Sequence, residues 1–104
     1  METSAAERLV VLVDIDLSEI VPPYIASRRG DLAALEIALR AGDLAQAREL
    51  GHQLKGSGTS FGLEDVTRMG AALESAAKRS DLESARAITH SLSAYLGSVE
   101  VVFR

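Results

Sequence analysis

Apolar residues recur at spacings of three, four and seven through most of the chain, which is the pattern of amphipathic helices. In the first such segment this stripe consists of Ile25, Leu32, Leu35 and Leu39. Asp16 followed by Glu19 predicts a capping box before the segment, and Pro22 with Pro23 fits its first turn. Gly30 could kink the helix or split it in two, and the pattern alone leaves both open.

Three further helices follow from the same periodicity. The second begins at Asp43 and ends near position 57 or 58, and the third runs from about Leu63 to Arg79. Ser80 with Glu83 predicts a capping box that opens the fourth helix, which Gly97 closes. Because the connections are short, sequential helices should pack side by side in opposite directions. The expected fold is all-α, an antiparallel up-down four-helix bundle over about residues 17–97.

The two ends of the chain have a different pattern. Both are rich in β-branched valine, which favours extended structure. We expect an extended N-terminal segment over about residues 8–15 and an extended tail over residues 98–104, and the two could pair as a short ribbon. The length of 104 residues suits one domain over residues 1–104.

Composition narrows the functional classes. The net charge of −4 argues against nucleic-acid binding, and the absence of cysteine excludes disulfides and thiolate zinc sites. The longest apolar run, Leu9 to Val13, is far shorter than the roughly 20 residues of a membrane span. We therefore expect a soluble, cytoplasmic protein without a membrane or nucleic-acid partner. The starting methionine and compact ending favour a free-standing protein, and we expect a monomer.

One segment carries candidate chemistry, Gly51 to Gly58. Relative to the apolar side of its helix, His52 points about 145° away and should face solvent. Lys55 and Gly56 share that exposed surface, as does Arg48 one turn earlier. An exposed imidazole beside a cation and a missing side chain is an unusual local arrangement.

These residue types fit a phosphoryl acceptor. A neutral imidazole is a good nucleophile near neutral pH, so His52 could take up the group. Lys55 could reach its oxygens as a point charge, Gly56 would leave space, and the Ser57 hydroxyl could supply a further donor. A phosphate-binding P-loop is excluded, because there the lysine follows the glycine and here Lys55 precedes it.

The segment resembles the signature of histidine-containing phosphotransfer (HPt) domains. The matching residues are His52-Gln53-Leu54-Lys55-Gly56-Ser57, followed by Phe61-Gly62. The resemblance extends over most of the chain, through Pro22, the stripe from Asp31 to Leu39, Gly42-Asp43 and Leu73-Glu74. The fold of that family is the antiparallel four-helix bundle that periodicity predicts independently.

The resemblance implies a phosphorelay intermediate between aspartates of receiver domains, in a hybrid kinase and in a response regulator. His52 would be the phosphorylated residue, Lys55 would neutralise the phosphoryl charge, and Gly56 would be the gap beside it. Such a domain binds no cofactor or metal itself, since Mg²⁺ sits in the acidic pocket of the receiver. The partner would dock around the second helix, with help from the first, and ATP-dependent kinase activity is not expected.

Two other functions remain open at this point. A docking module that sequesters a receiver or kinase would use the same surface without phosphorylation. A dimerisation domain of a kinase is a weaker alternative, because such domains carry an acidic residue directly after the histidine and Gln53 stands here.

His90 has no lysine or glycine companion and is interpreted as a surface histidine. The pair Arg28-Arg29 could steer an acidic partner, although a solvated helix face is the simpler interpretation.

Overall fold

The computed structural model describes residues 9–104, so the start of the predicted N-terminal segment, at position 8, lies outside the described residues. Four α-helices make up most of this part of the chain: α1 (Val21–Arg40), α2 (Ala45–Ser57), α3 (Glu64–Lys78) and α4 (Leu82–Ser98). Two strands flank them, β1 (Leu9–Val13) and β2 (Val99–Phe103), and two short 3-10 turns cover Ile15–Leu17 and Thr59–Phe61. The prediction of a mainly helical fold with four helices is confirmed.

The helices share one core built mainly from leucine. Each helix contributes side chains that are at most 1 % exposed, and the 3-10 turn before α3 leads into another, Leu63. The fully buried leucines are Leu32, Leu35, Leu39, Leu54, Leu63, Leu73, Leu92 and Leu96. Leucine combines high helix propensity with a large apolar surface, so the residues that favour the helices also supply the burial that holds them together.

Helix α1 runs without interruption through Gly30, which settles the alternative that the sequence left open. Gly30 is exposed, and a Cβ built there would have no neighbour within 4 Å, so no packing requirement breaks the helix at this point. A single exposed glycine costs a helix about 1 kcal/mol relative to alanine, which the buried leucines of α1 easily offset.

The predicted cap at the start of α1 is wrong. Asp16 lies inside the first 3-10 turn, where its backbone N–H donates to Asp14 Oδ1 at 2.8 Å. Helix α1 begins later, at Val21, with no side-chain cap. The two prolines occupy its first turn as expected, and proline needs no partner there because it has no N–H.

The predicted cap of α4 is displaced by one residue. Ser80 has a left-handed backbone with φ 57°, because it ends the turn that follows α3. A residue in that conformation cannot also serve as the extended N-cap of the next helix. Asp81 takes this role, and its Oδ1 accepts from the backbone N–H of Ser84 at 3.1 Å.

The terminal segments pair as expected, and their strands run parallel. The register joins Leu9 to Val99 at one end and Val13 to Phe103 at the other. Backbone hydrogen bonds extend the pairing, since Arg104 N donates to Val13 O at 3.0 Å and Ile15 N donates to Arg104 O at 2.9 Å. The segment that precedes α1 is thereby fixed to the segment that follows α4.

Helices α2 and α3 approach so closely that their backbones touch. A Cβ added at Gly51 would lie 2.6 Å from the backbone N of Glu74 and 2.8 Å from the backbone O of Gly70. A Cβ added at Gly70 would lie 2.6 Å from the backbone N of Lys55. Only glycine fits at both positions, and the contact brings Gly70 and Glu74 of α3 against the candidate segment on α2.

Within residues 9–104, no helix is both long enough and apolar enough to cross a membrane.

We predict that Gly51→Ala destabilises the protein by about 1–3 kcal/mol, because the new methyl group meets backbone atoms that cannot rotate away. The matched control is Gly56→Ala on the same helix, where a Cβ has no neighbour within 4 Å. This control should be neutral or stabilising by up to about 1 kcal/mol, because alanine is the better helix former. Urea unfolding of both variants measures the difference, and equal stabilities would contradict the close contact between α2 and α3.

Candidate functional site

His52 lies on the exposed side of α2, with 69 % of its side chain accessible to solvent. The predicted outward orientation of the ring is therefore confirmed. The ring is nevertheless held from one side, because its Nδ1 lies 3.0 Å from Oε2 of Glu74 on α3. Arg48 and Lys78 line the same open groove between the two helices.

Glu74 is the centre of the site. Its side chain is only 9 % exposed, and its two carboxylate oxygens face three potential partners. Oε1 accepts from Lys55 Nζ at 2.7 Å, while Oε2 faces His52 Nδ1 and, at 3.6 Å, Lys78 Nζ. A carboxylate this far removed from water requires such partners, since burial of an unpaired charge is costly.

The partners lower the pKa of Glu74 from 4.5 to about 2. The hydrogen bond from Lys55 is the largest cause; burial opposes it, and His52 and the charge of Lys78 add to it. Because the pKa of the folded state lies below the ordinary value, the ionised carboxylate stabilises the folded protein above pH 4.5. This contribution is lost as the pH falls towards about 2.

The ionisation of Glu74 determines which nitrogen of His52 carries the proton. An ionised carboxylate can only accept hydrogen bonds, so the neutral form of the imidazole carries its proton on Nδ1 and donates it to Glu74. The lone pair is then on Nε2, on the opposite side of the ring from α3. The exposed nitrogen of the ring is therefore its nucleophilic one.

Lys55 and Gly56 flank the ring as the helical spacing predicts. Lys55 is 42 % exposed and in this state is paired with Glu74. Gly56 is exposed, and no atom of another segment lies within 4 Å of the Cβ that it lacks. The site thus combines a nucleophilic nitrogen, a cation and open space.

Ser57 lies in a different environment. Its side chain is five residues from His52, about 140° around the helix. Its Oγ lies 2.6 Å from the hydroxyl of Tyr24 on α1, with which it shares a hydrogen bond. Phe61 stacks on the Tyr24 ring, with 3.9 Å between centroids, so Ser57 belongs to a polar and aromatic contact that fixes the end of α2. This geometry gives no support to the expectation that the Ser57 hydroxyl donates a hydrogen bond to a phosphoryl group on His52.

Sequence reasoning gave Glu74 no chemical role, although Leu73-Glu74 is part of the family resemblance. Helical periodicity could not have identified it, because Glu74 lies about 120° around α3 from the mean direction of the apolar stripe Val66, Met69, Leu73 and Ala76. Its burial arises because α2 packs against that side of α3.

The remaining polar candidates serve other contacts. His90 is exposed on α4. Arg28 pairs with Asp31 at 2.9 Å and lies over the Tyr24 ring, while Arg29 donates to the backbone O of Leu96 at 2.9 Å. The arginine pair considered for steering is therefore engaged within the fold. Over residues 9–104, no group of three or more His, Asp or Glu side chains could hold a metal ion.

Comparison with known proteins places this geometry in a family. The family model described as Hpt domain matches residues 19–100, which is most of the chain and includes all four helices. Searches of curated proteins and of solved structures gave no significant match. Hpt domains act in histidine phosphotransfer in two-component phosphorelays, in which they interact with receiver domains. On the basis of the match, the chain belongs to the Hpt domain family.

Proposed function

We propose that His52 carries a phosphoryl group between the aspartates of receiver domains, from a hybrid kinase to a response regulator. The observation that supports this most directly is the ring itself, which is 69 % exposed and is bound through Nδ1 to an ionised carboxylate. That bond leaves Nε2 as the nucleophile and fixes its direction, so the ring is oriented before a partner arrives.

The transfer step uses the Nε2 lone pair. It forms the bond to phosphorus, while the bond between phosphorus and the aspartyl oxygen breaks and its electron pair leaves with the aspartate. The proton stays on Nδ1, so the phosphorylated ring is an imidazolium, and Glu74 compensates its positive charge across the 3.0 Å contact. The reverse step returns the N–P electron pair to Nε2 and restores the neutral ring.

Lys55 would supply the charge that holds the phosphoryl group. Its ammonium is one helical turn from His52, and its stem has enough rotatable bonds to turn from Glu74 towards Nε2. Gly56 would leave room for the group and for the loop of the partner that carries the aspartate. The Mg²⁺ ion that such a transfer uses would belong to the acidic pocket of the receiver.

The arrangement of the domain is part of the same proposal. We infer one monomeric domain over residues 1–104, with four helices that alternate in direction. The contacts between α2 and α3 support alternation, because Gly51 meets Glu74 while Gly58, directly after the end of α2, meets Thr67, earlier in α3. The receiver would approach the exposed surface of α2, with α1 beside it.

His52→Gln should abolish labelling of the protein by a phosphorylated receiver domain, because glutamine has no nucleophilic ring nitrogen. His90→Gln is the matched control, since it removes the other histidine, which is exposed on α4. Transfer of ³²P followed on gels under alkaline conditions measures the result. Undiminished labelling of His52→Gln would reject the assignment, and full signalling by this variant would favour a docking module instead.

Lys55→Met should slow phosphorylation of His52 and shorten the lifetime of the phosphohistidine, while the protein remains folded. Methionine keeps the apolar stem and removes the ammonium group, together with its hydrogen bond to Glu74. The control is Arg68→Met, which removes a positive charge from α3 where Arg68 pairs with Asp65. Rapid-quench transfer kinetics and decay of the ³²P label measure both effects, and rates equal to those of the control would contradict this role.

Gly56→Leu should block transfer from a receiver by steric exclusion and leave the stability of α2 unchanged or improved, because leucine is the better helix former. Gly97→Leu is the matched control, at another helical glycine with open space around it. Binding of the receiver, measured by calorimetry, should be lost only in the first variant. Transfer at the wild-type rate by Gly56→Leu would count against an approach over this position.

A further inference from the structure

Lys78 is an additional cation at the site, and neither the family resemblance nor the transfer step gives it a role. It lies on α3 four residues after Glu74, and its Nζ is 3.6 Å from Glu74 Oε2. That distance is too long for a good hydrogen bond, whereas Lys55 holds the other carboxylate oxygen at 2.7 Å. The Lys78 side chain is 49 % exposed and faces the open groove, so it has room to move closer.

During the transfer step, Glu74 and the phosphoryl group compete for the ammonium group of Lys55. In the resting protein Lys55 is the principal partner of Glu74, yet the phosphoryl group on His52 needs the same ammonium. If Lys55 turned away and nothing replaced it, a carboxylate that is 9 % exposed would lose its strongest hydrogen bond as a phosphoryl group with close to two negative charges arrived nearby. Glu74 would then be drawn towards protonation or away from Nδ1.

We propose that Lys78 replaces Lys55 as the ion-pair partner of Glu74 when Lys55 turns to the phosphoryl group. This role rests on the proposed function of His52. Lys78 closes on Oε2, keeps the carboxylate ionised, and keeps it in contact with the Nδ1–H of the ring. It is a positioning residue, since it acts on the reacting ring through Glu74 and does not touch the phosphoryl group.

The formal charges are consistent with two lysines. In the resting site Glu74, Lys55 and Lys78 sum to one positive charge beside a neutral ring. Transfer of a PO₃⁻ unit adds one negative charge, because the phosphoryl dianion is accompanied by the imidazolium. The cluster is then neutral, whereas without Lys78 it would carry a net negative charge. Of the other groups around it, Arg48 and Glu49 both line the groove and cancel each other.

The first test needs no phosphorylation, since Lys55→Met imitates the departure of Lys55. The pKa of Glu74 is measured by ¹³C NMR of its side-chain carboxyl in the wild type, in Lys55→Met, in Lys78→Met and in the double variant. If Lys78 replaces Lys55 as the partner of Glu74, Lys78→Met changes the pKa of Glu74 little when Lys55 is present. When Lys55 is absent, the same substitution raises it by at least about 1, the effect of a close opposite charge.

Two controls accompany this measurement. Lys78→Arg restores a cation at the same position and should return the pKa of Glu74 close to that of Lys55→Met alone. Arg68→Met removes a charge from the same helix away from the site and should leave the pKa unchanged in either background. An equal and small effect of Lys78→Met in both backgrounds would mean that Lys78 does not close on Glu74, and would overturn the proposal.

The second test follows phosphorylation of His52 by phosphoramidate, a small phosphodonor that needs no partner protein. Lys78→Met should slow it by about two- to fivefold, the size expected for one partly exposed ion pair. The effect should disappear in a Glu74→Gln background, because Lys78 acts through that carboxylate. An equal effect in both backgrounds would show a direct action on the phosphoryl group and overturn the proposal. If wild-type His52 accepts no phosphoryl group, the proposed function fails, and the NMR titration still decides whether Lys78 takes over Glu74.

Discussion

The contact between α2 and α3 at Gly51 and Gly70 is the constraint on which the site depends. Because neither glycine has a side chain, the two backbones come within contact distance, and Glu74 N lies directly against Gly51. From there the Glu74 side chain reaches across to His52 and Lys55 on the neighbouring helix. A wider spacing would separate the carboxylate from the ring, so the packing of two helices and the chemistry of one histidine have the same cause.

The Glu74 carboxylate contributes to the stability of the fold and also determines which nitrogen of the neutral His52 ring carries the proton. Its burial disfavours ionisation, and the hydrogen bonds and charges around it outweigh that penalty, so its pKa falls to about 2. Glu74 therefore remains an acceptor over the whole range of physiological pH. When the His52 ring is neutral, its proton is therefore held on Nδ1, and Nε2 faces away from Glu74.

A second set of contacts fixes the far end of α2. Ser57 is hydrogen-bonded to Tyr24, Phe61 stacks on the same ring, and Gly62 ends the turn with a left-handed φ of 78° beside Val13. Val13 in turn belongs to the strand that pairs with the end of the chain. These contacts hold the helix that carries His52 at its C-terminal end, while its exposed side stays open.

The sequence by itself determined the four helices, the extended ends, and the exposure of His52 beside Lys55 and Gly56, because these follow from periodicity and local spacing along one helix. The tertiary structure decided that Asp81, and not Ser80, is the N-cap of α4. Ser80 has a left-handed backbone because it ends the turn after α3, and this excludes it from the capping role. The parallel pairing of the strands and the engagement of Ser57 by Tyr24 also needed the tertiary structure. So did the role of Glu74, which lies 22 positions after His52 in the sequence and reaches its ring only because α2 packs on α3.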